Sequence, residues 1–503
     1  MAQKLGIKVD PTSNTPLYGQ IFTQISGKID AGVYPPGFRL PPTRALAEEL
    51  DTHRNTVVRA FEELVNAGYA TSVVGRGTFV AERANLPEPV VPIGSGSLQW
   101  SSLISRVAGD GPQRRLDRLR RAPVGADSIN LTRMQPSADL LPDALFRRCM
   151  DHVLRTRGAS ALGYAPREGE YRLREAITVE LVRRGVPVTT DDVLITSGSQ
   201  QGLDIVLRTL VDPGDTFLVE RETYSGALSL LAAARAHVVP ISCDAEGPDV
   251  EALHRLGRGG IKGLYVIPNA QNPTGRTMPA DRREALVAWS REFGVPLIED
   301  DYAAELDLGT TPRPPALRAL DRDVIHIGTF SKNLIPAVRV GYLVCPPDLR
   351  DVIVSLKHTM DLGTSALLQH AVAEFLERGY FRIHLERTLP EYRRRRDALL
   401  DELARVLPPD VRVHAPNRGV SIWIELPAEL DPERLYDAAR REGVVVAPGT
   451  LNGSTREPGG IRLTYCAEAP ERLREGARRL GRAVERLIGT HRSGAGTTTL
   501  DLV

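Results

Sequence analysis

The fold of most of this chain is decided by residues 324–339, which read VIHIGTFSKNLIPAVR. The apolar run from Val324 to Ile327 is typical of a buried strand, and Lys332 follows it closely. Packing alone explains such a lysine poorly, because lysine is rarely buried without a partner. A surface lysine with a partly buried stem is the alternative. A lysine that forms a Schiff base needs a pocket that lowers its pKa, and Arg339 at a bound phosphate would help to provide one.

Short apolar runs alternate with helical patterns from residue 126 onward. The predicted strands are Val193–Thr196, Phe217–Val219, Val238–Ile241, Gly263–Ile267, Pro296–Glu299, Val324–Ile327 and Val340–Cys345. Strands that alternate with helices predict an α/β unit, a mostly parallel sheet covered on both faces. After about residue 355 the pattern is helical and ends in strands near Val420–Leu426, Val444–Ala447 and Ile461–Thr464. This second pattern predicts a smaller α+β lobe.

Three further motifs follow predicted strands of this sheet. Ser197–Gly202 (SGSQQG) opens a helix, where free N–H groups favour a phosphate, although a glycine-rich turn alone is a weak signal. Asn269–Gly275 (NAQNPTG) is a rigid turn that carries an amide. Glu299–Tyr302 (EDDY) offers carboxylates and a phenol, with a helix cap or solvated loop as the alternative. Pyridoxal 5′-phosphate (PLP) needs a carboxylate against its ring nitrogen, and Asp300 is the predicted one.

In this order and spacing, the motifs resemble those of the fold-type I aminotransferases, from about Asn130 to Gly489. The resemblance implies a PLP site with Lys332 as the lysine that binds the cofactor covalently. The other residues that it assigns to PLP are Asp300 at the ring nitrogen, Asn272 and Tyr302 at the ring hydroxyl, Tyr224 stacked on the ring, and Gly198, Ser199, Gln200, Thr329 and Arg339 at the phosphate.

The same resemblance implies roles for two more residues. Tyr164 matches a tyrosine that reaches across a dimer to the phosphate of the neighbouring subunit. Arg462 matches the arginine that binds the carboxylate of an amino-acid substrate or effector, with a surface ion pair as the alternative.

Two departures from the family pattern leave questions open. The tyrosine of the acidic motif more often stands three residues after the carboxylate, so the choice between Asp300 and Asp301 stays open. Residues 418–421 read RGVS where relatives often read Ala-Gly-Leu-His, which predicts an unusual effector side of the pocket.

The first 81 residues form a separate pattern. An apolar stripe with a spacing of four from Leu17 to Ile29 predicts one helix, and Arg44–Leu50 predicts a second, shorter one. Thr52 is predicted to cap a third helix, and two short helices in tandem make a helix-turn-helix. Tyr69–Val74 and Thr78–Ala81 flank a glycine-rich turn and predict a hairpin, the wing.

In such a motif the second helix presents its N-terminal residues to base edges, and flanking residues hold phosphates. Arg44 suits a phosphate as a bidentate donor, and Arg76 on the hairpin tip suits the minor groove. Taken singly, each arginine is better explained as an ordinary surface charge. The residues predicted at the base edges are Thr52, His53, Arg54, Asn55 and Thr56.

Together, the segments PGFRLPPTR, HRNTVVRAF and GRGTFV between Leu17 and Ala81 resemble the GntR-type winged helix. The resemblance implies that Arg44, Arg54 and the Gly75–Gly77 wing contact double-stranded DNA.

Composition sets the domain plan. Residues 82–125 shift to Pro, Gly and Ser and then to an arginine-rich run at 114–121, which predicts a linker whose arginines are solvated, dock on a domain or touch DNA. We therefore expect a DNA-binding domain at 1–81, an aminotransferase-like domain at 126–490 and a disordered tail at 491–503.

The 503 residues are 42% hydrophobic and 25% charged, as in a soluble globular protein. The four cysteines share no CxxC spacing, which predicts reduced thiols and no metal site. No apolar stretch approaches the roughly 20 residues of a membrane span, and we expect a cytoplasmic protein. The net charge of +1 means that any DNA affinity depends on where the arginines lie.

A GntR-type head before an aminotransferase-like body is the arrangement of the MocR family of bacterial regulators. The resemblance implies a head-to-tail, domain-swapped homodimer. We expect PLP or an amino compound to act at the aminotransferase-like domain and to change binding to an operator near the protein's own gene, in control of vitamin B6 or amino-acid metabolism. The alternative is an active PLP-dependent aminotransferase that carries a DNA-binding head.

Overall fold

The chain divides into two units, residues 1–103 and 104–503, in a computed structural model. The described residues are 5–13, 15–73, 75–81, 100–105, 125, 127–257, 259–309, 311–453 and 459–494. The arginine-rich run at 114–121 and residues 495–503 of the predicted tail lie outside them.

The N-terminal unit has the predicted winged helix-turn-helix. Its elements are α1 (Leu17–Asp30), α2 (Thr43–Glu49), α3 (Arg54–Asn66), β1 (Ala70–Val73), β2 (Gly77–Val80) and a short helix α4 (Trp100–Leu103). Strands β1 and β2 pair antiparallel. The apolar stripes of the three longer helices meet in one buried cluster that includes Ile21, Ile25, Leu46, Val57 and Leu64.

The predicted N-cap of α3 is wrong. The helix begins at Arg54 with His53 as its N-cap residue, and no side chain caps it. The Thr52 N–H donates to the Ala47 carbonyl at 3.0 Å, and Asp51 before it has a left-handed φ of 46°. Thr52 therefore belongs to the turn that ends α2, one residue too early to cap α3.

The C-terminal unit is built on a seven-stranded sheet among its described residues. Its strands are β4 (Val193–Thr196), β5 (Thr216–Glu220), β6 (His237–Ile241), β9 (Ile261–Val266), β10 (Leu297–Asp300), β11 (Ile325–Thr329) and β12 (Gly341–Val344). Their order in the sheet is β4-β12-β11-β10-β9-β5-β6, and β12 alone runs antiparallel to its neighbours. Every strand end lies within two residues of its predicted position, since apolar runs mark buried strands clearly.

Helices cover the sheet. They are α5 (Asp143–Arg157), α6 (Tyr171–Arg183), α7 (Ser199–Leu210), α8 (Ser225–Ala233), α9 (Val250–Leu256), α10 (Ala280–Phe293), α11 (Leu317–Leu320), α12 (Pro347–Asp361), α13 (Ala366–Glu377), α14 (Tyr380–Val406), α15 (Pro432–Arg441) and α16 (Pro470–Gly494). In the C-terminal part, α14 and α16 pack against each other. Helix α16 continues to Gly494, four residues into the segment predicted as a tail.

The smaller lobe has its own four-stranded sheet in the order β13-β14-β17-β16. Its buried side chains, such as Ile422 and Ile461, join one hydrophobic cluster with Ile298 and Ile327 of the large sheet. The remaining strands are β3 (Ile129–Asn130), β7 (Cys243–Asp244), β8 (Gly247–Pro248), β13 (Arg412–His414), β14 (Ser421–Glu425), β15 (Val444–Val445), β16 (Ala447–Pro448) and β17 (Gly460–Thr464).

The parallel strands β4, β9, β10 and β11 end at one edge of the large sheet, so the loops that follow them converge there. Strand β12 starts at this edge with Gly341. A Cβ on Gly341 would lie 2.7 Å from the Gly198 carbonyl carbon and 2.9 Å from the Gly328 oxygen. Only glycine therefore lets the loop after β4 lie directly against β12.

No helix in the described part of the chain has the length and apolarity that a membrane crossing needs.

A fully buried arginine fixes one of the converging loops. Arg283 on α10 donates through Nε to the Met278 carbonyl at 2.9 Å and through Nη1 to the Pro315 carbonyl at 2.9 Å. Its Nη2 donates to the Pro268 carbonyl at 2.9 Å and to Asn269 Oδ1 at 2.8 Å. Arg283 thereby holds the loop after β9 at the point where the turn from Asn269 begins.

We expect Arg283→Met to destabilise the large domain by about 3 kcal/mol or more, because several buried acceptors lose their donor at once. The matched control is Arg282→Met on the same helix. Arg282 pairs with the half-exposed Asp244 and Glu246, and its loss should cost about 1 kcal/mol or less. The unfolding transition of the two variants, followed by calorimetry, tests this; equal shifts would contradict the role of Arg283.

Candidate cofactor site and DNA-binding surface

A cavity of about 180 Å³ lies at the carboxyl edge of the large sheet. It contains every residue that the sequence assigns to the cofactor except Gly198 and Tyr164. Its lining residues are Met134, Ser199, Gln200, Tyr224, Ile267, Asn272, Asp300, Tyr302, Thr329, Ser331, Lys332 and Arg339.

Lys332 lies in the loop after β11 and reaches into this cavity. Its Nζ donates to the Met134 carbonyl at 2.7 Å. Burial lowers the pKa of the Lys332 amine, and the positive charges of Arg462 and Arg339 lower it further. A lowered pKa leaves more of the amine neutral, and the neutral amine is the nucleophilic form.

Asp300 stands at the end of β10 on the wall of the cavity. The Tyr265 hydroxyl donates to its Oδ2 at 2.7 Å. Its Oδ1 is buried and has no hydrogen-bond partner among the described residues. Burial raises the pKa of Asp300 to about 6. Asp300 therefore presents one unsatisfied acceptor, and buried acceptors of this kind normally have a donor.

Asp301 has a different environment and does not line the cavity. Asn269 Nδ2 donates to its Oδ1 at 2.8 Å, and Arg184 pairs with its Oδ2. Burial by itself raises the pKa of Asp301, but Arg184 and His326 outweigh it and lower that pKa to about 2. The sequence left open which of the two carboxylates faces the cofactor cavity. In the structure Asp300 lines this cavity and Asp301 does not.

Tyr302 and Asn272 lie on the cavity wall nearest to the smaller lobe. The Tyr302 hydroxyl donates to the Ala270 carbonyl at 2.8 Å, and burial raises the pKa of this phenol. Arg462 Nη1, on β17, donates to Asn272 Oδ1 at 2.8 Å. The amide of Asn272 therefore links the cavity to the arginine of the smaller lobe.

The opposite end of the cavity suits an anion. Gly198 has a φ of 96° and precedes α7, and Arg339 has a left-handed φ of 49°. Arg339 Nη2 donates to the Ser197 carbonyl at 2.8 Å, and a Cβ on Gly198 would lie 2.8 Å from that nitrogen. The first N–H groups of α7 and the Arg339 guanidinium therefore lie side by side, an arrangement that favours a phosphate.

Two hydroxyls and an amide complete this end. Thr329 Oγ1 donates to Ser331 Oγ at 3.1 Å, and the Ser331 N–H donates to Thr329 Oγ1 at 3.2 Å. Gln200 Oε1 is buried and has no hydrogen-bond partner among the described residues. Ser331 was not predicted, although it stands beside Lys332 in the TFSK motif.

Tyr224 lies directly before α8 and lines the cavity. A Cβ on Gly226 would overlap its ring, so glycine there leaves room for the aromatic side chain. The Thr223 N–H donates to the Asn452 carbonyl at 2.6 Å, and Asn452 Nδ2 donates back to the Thr223 carbonyl at 3.0 Å. Sequence reasoning missed Asn452, because no local pattern connects positions so distant along the chain.

Gly198 and Tyr164 lie outside the lining of the cavity. Gly198 contacts it through Arg339, as described above. Tyr164 is 86% exposed and stands on the surface beside Leu162, which is 67% exposed. Within one chain, Tyr164 is therefore not part of the cavity wall.

A second, outer cavity of about 530 Å³ continues from the first. The two share Met134, Tyr224, Ser331, Lys332 and Arg339. Arg462 lines only the outer cavity, so the arginine that the sequence assigns to an amino-acid carboxylate lies just beyond the Lys332 amine.

In the N-terminal unit, Arg44, Arg54 and Arg76 are exposed and have no ion-pair partner among the described residues. Arg44 is in the first turn of α2 and Arg54 in the first turn of α3, and neither turn contains an acidic residue. The positive ends of two helix dipoles therefore coincide with arginines, which favours phosphates. Beside Arg54, His53 and Asn55 are exposed, and Thr52 and Thr56 are partly buried.

Arg39 was not predicted at this surface. Its guanidinium lies over the Phe79 ring at 6.0 Å, and Arg39 forms a bridge with Phe79 beside the hairpin. Arg59 on α3 is less available, because it lies over the Tyr18 ring at 3.9 Å. The exposed Arg39 adds a cation next to the wing. The only sequence signal for this position is that Arg39 belongs to the PGFRLPPTR segment.

Comparison with known proteins agrees with both units. Residues 127–480 match the family "Aminotransferase class I and II", and residues 17–80 match "Bacterial regulatory proteins, gntR family". The chain is 31% identical to the probable rhizopine catabolism regulatory protein MocR of Rhizobium meliloti, over 93% of this chain and 94% of that protein. It is 29% identical to the uncharacterized HTH-type transcriptional regulator YdfD of Bacillus subtilis, over 94% and 97%.

Among solved structures, the chain resembles LysN, the alpha-aminoadipate aminotransferase of Thermus thermophilus, in complex with N-(5'-phosphopyridoxyl)-L-leucine. The TM-score is 0.72 at 33% identity, and the match covers 78% of this chain and 100% of that one. These matches confirm the predicted fold and domain types. The chain therefore belongs to the class I and II aminotransferase family and, because a GntR-type domain precedes the aminotransferase-like one, to the MocR family of transcriptional regulators.

Proposed function

We propose that this protein is a transcriptional regulator that holds PLP at Lys332 and binds an operator through its winged helix-turn-helix. Occupancy of the PLP site changes the affinity for DNA. The observation that carries the proposal is the buried Oδ1 of Asp300, which has no hydrogen-bond partner among the described residues and lies in the same cavity as the Lys332 amine. A carboxylate kept from water without a second donor is costly, and a protonated ring nitrogen would supply that donor.

The residues present fit PLP. Bound PLP supplies an aldehyde that reacts with a lysine amine and a ring that withdraws electrons. Asp300 Oδ1 would accept a hydrogen bond from the protonated ring nitrogen, and Asn272 and Tyr302 would face the ring hydroxyl. Tyr224 would stack on the ring. The groups that would hold the phosphate are Gly198, Ser199, Gln200, Thr329 and Arg339.

The amine that binds the cofactor is prepared by its surroundings. Burial lowers the pKa of the Lys332 amine, and the positive charges of Arg462 and Arg339 lower it further. Its hydrogen bond to the Met134 carbonyl points the Nζ across the cavity. Arg462 binds the carboxylate of an amino compound next to this amine, as bidentate arginine–carboxylate pairs do.

We further propose a head-to-tail homodimer in which Tyr164 completes the phosphate site of the other subunit. A tyrosine that is 86% exposed next to the exposed Leu162 is typical of a surface that a partner covers. Two linked heads would then bind two operator half-sites, and a change of the dimer at the PLP site would change how they fit DNA. The base-edge residues proposed for each head are Thr52, His53, Arg54, Asn55 and Thr56, with Arg44 and Arg76 on the backbone and minor groove.

A second candidate function, slow transamination, is favoured by the presence of Lys332, Asp300 and Arg462 around connected cavities. Steady turnover of an amino acid with a 2-oxo acid, abolished in Lys332→Ala, would identify it.

PLP is expected to change the affinity of the purified chain for DNA upstream of its own gene by about fivefold or more at fixed salt. Lys332→Ala should bind the same DNA without any response to PLP. Arg54→Gln should lose about 1–3 kcal/mol of discrimination between operator and unrelated DNA, with or without PLP. Specific binding that ignores PLP, or no specific binding at all, would contradict the proposal.

In the PLP-free chain, Asp300→Asn should raise the free energy of unfolding at pH 7 by on the order of 2–3 kcal/mol, from the shift of the Asp300 pKa from 3.8 to about 6. A raised carboxyl pKa favours folding below pH 3.8, and that contribution is lost as pH rises through about 6. The increase in the free energy of unfolding caused by Asp300→Asn should therefore shrink as pH falls from 7 toward 4.

The neighbouring Asp301→Asn is the matched control, with the opposite sign. The pKa of Asp301 is lowered to about 2, so its contribution is present above pH 3.8 and is lost as pH falls through about 2. This substitution should destabilise the chain at pH 7. Denaturant titrations at pH 5 and 7 measure both differences, and two variants that change stability in the same direction would refute the assignment.

The partner role of Tyr164 predicts complementation between two defective chains. Tyr164→Ala should weaken PLP binding, and Lys332→Ala should abolish covalent attachment. A mixed dimer has one site with an intact Lys332 and a tyrosine from the other chain, so mixing should restore covalent PLP at one site per mixed dimer. If Tyr164 acts within its own chain, mixing restores nothing.

A further inference from the structure

The turn at residues 197–199, which leads into the phosphate end of the cofactor cavity, is held from outside that cavity. The Ser197 N–H donates to Gln201 Oε1 at 2.7 Å, and the Ser197 carbonyl accepts from Arg339 Nη2 at 2.8 Å. Gln201 stands in the first turn of α7 but does not line the cavity. Its amide therefore acts on a bound phosphate only through the backbone of the turn.

The other end of the Gln201 amide is fixed by Asp361, the last residue of α12. Gln201 Nε2 donates to Asp361 Oδ2 at 2.8 Å, and Ser197 Oγ donates to the same oxygen at 3.4 Å. An ionised carboxylate only accepts hydrogen bonds, so it binds the Nε2 end of the amide and leaves Oε1 for the Ser197 N–H. Asp361 thereby determines the orientation of Gln201.

A buried lysine offsets the charge of this carboxylate. Lys357, one turn earlier on α12, is 2% exposed, and its Nζ donates to Asp361 Oδ1 at 3.1 Å and to Oδ2 at 3.3 Å. Burial by itself raises the pKa of Asp361, but the hydrogen bond from Gln201 and the charge of Lys357 outweigh it and lower that pKa. Asp361 therefore stays ionised at neutral pH, and the ammonium neutralises a carboxylate that would otherwise repel an anion nearby.

The loop after α12 fixes Asp361 from a further side. The Gly363 N–H donates to Asp361 Oδ1 at 3.0 Å, and Thr364 Oγ1 lies 3.3 Å from Ser197 Oγ. Leu362 and Gly363 have positive φ angles of 56° and 137°, which turn the backbone back toward the carboxylate. The acceptor that orients Gln201 is thus held by its own helix and by its own loop.

We propose that Gln201 and the ion pair of Lys357 with Asp361 are positioning residues that fix the turn at residues 197–199 for a phosphate ester, so that the site selects PLP over unphosphorylated pyridoxal. N–H groups bind an anion best when their direction is set before the anion arrives, because the ordering then costs nothing on binding. The inference rests on the proposed function for the identity of the ligand; the selection of a phosphate rests on these hydrogen bonds.

The test compares the dissociation constants of PLP and pyridoxal for the full chain, measured by absorbance titration at fixed pH and salt. Gln201→Leu removes both hydrogen bonds of the amide at nearly constant size. It should weaken PLP binding by roughly tenfold, as expected when hydrogen bonds around a charged ligand are lost. The affinity for pyridoxal should stay unchanged, since pyridoxal has no phosphate. A purely structural role would weaken both ligands equally, and that result overturns the inference.

The double variant Lys357→Met with Asp361→Asn tests the same role without Gln201→Leu, including the case in which that variant does not fold. It removes one charge of each sign and leaves no buried charge unpaired. The preference for PLP over pyridoxal should fall by about threefold or more, because the Gln201 amide is no longer held in one orientation. The matched control is Asp204→Asn with Arg208→Met, which removes an ion pair of 3.0 Å from the more exposed side of α7. This control should keep the full preference.

Inorganic phosphate separates this inference from the proposed function. The Lys332→Ala chain without PLP should still bind phosphate, followed by phosphorus NMR, and adding Gln201→Leu should weaken that binding by roughly tenfold. If the wild type fails to bind PLP but phosphate binding depends on Gln201, the proposed function fails and the positioning role stands. If phosphate does not bind, or binds equally with and without Gln201→Leu, the positioning role is overturned whatever PLP does.

Discussion

The buried carboxylate of Asp300 is the charge that the cavity has to accommodate. Three acidic residues in succession are buried at this end of β10, and burial of a charge costs several kcal/mol unless it is paired. Glu299 accepts the N–H groups of Leu317 and Arg318 at 2.8 and 3.0 Å, and Asp301 has Arg184 and Asn269. Among the described residues, Asp300 accepts from the Tyr265 hydroxyl on Oδ2, and its Oδ1 has no hydrogen-bond partner. Its two neighbours are therefore better satisfied by the protein than Asp300 is.

The walls around this carboxylate come from both lobes, which gives a ligand a means to act on the domain as a whole. Arg462 of the smaller lobe holds Asn272, and Asn452 holds the turn before Tyr224 through two hydrogen bonds. A molecule that binds Arg462 therefore competes with, or reinforces, a contact between lobes. Such differential contacts are what a ligand needs in order to shift a conformational equilibrium.

The positive charge that the DNA-binding unit offers to DNA comes from a few individual arginines. With a net charge of +1 over the whole chain, bulk charge by itself adds little attraction for nucleic acid. The exposed Arg44 and Arg54 instead stand at the positive ends of two helices without acidic neighbours in those turns, and Arg39 and Arg76 stand beside and on the wing. Affinity that depends on a few placed arginines should fall with salt in proportion to the phosphates that they contact.

The sequence by itself determined the strands of the large sheet, the winged helix-turn-helix and the motif around Lys332, because apolar periodicity and strand-end loops are local signals. Tertiary structure alone decided that Asp300 and not Asp301 faces the cavity, since successive side chains of a strand point to opposite faces and only the packed neighbours show which face is which. It also placed Thr52 in the turn of α2, and it brought Asn452 and Asp361 next to the loops of the site. Those positions come from contacts between segments far apart along the chain, and no local pattern encodes such contacts.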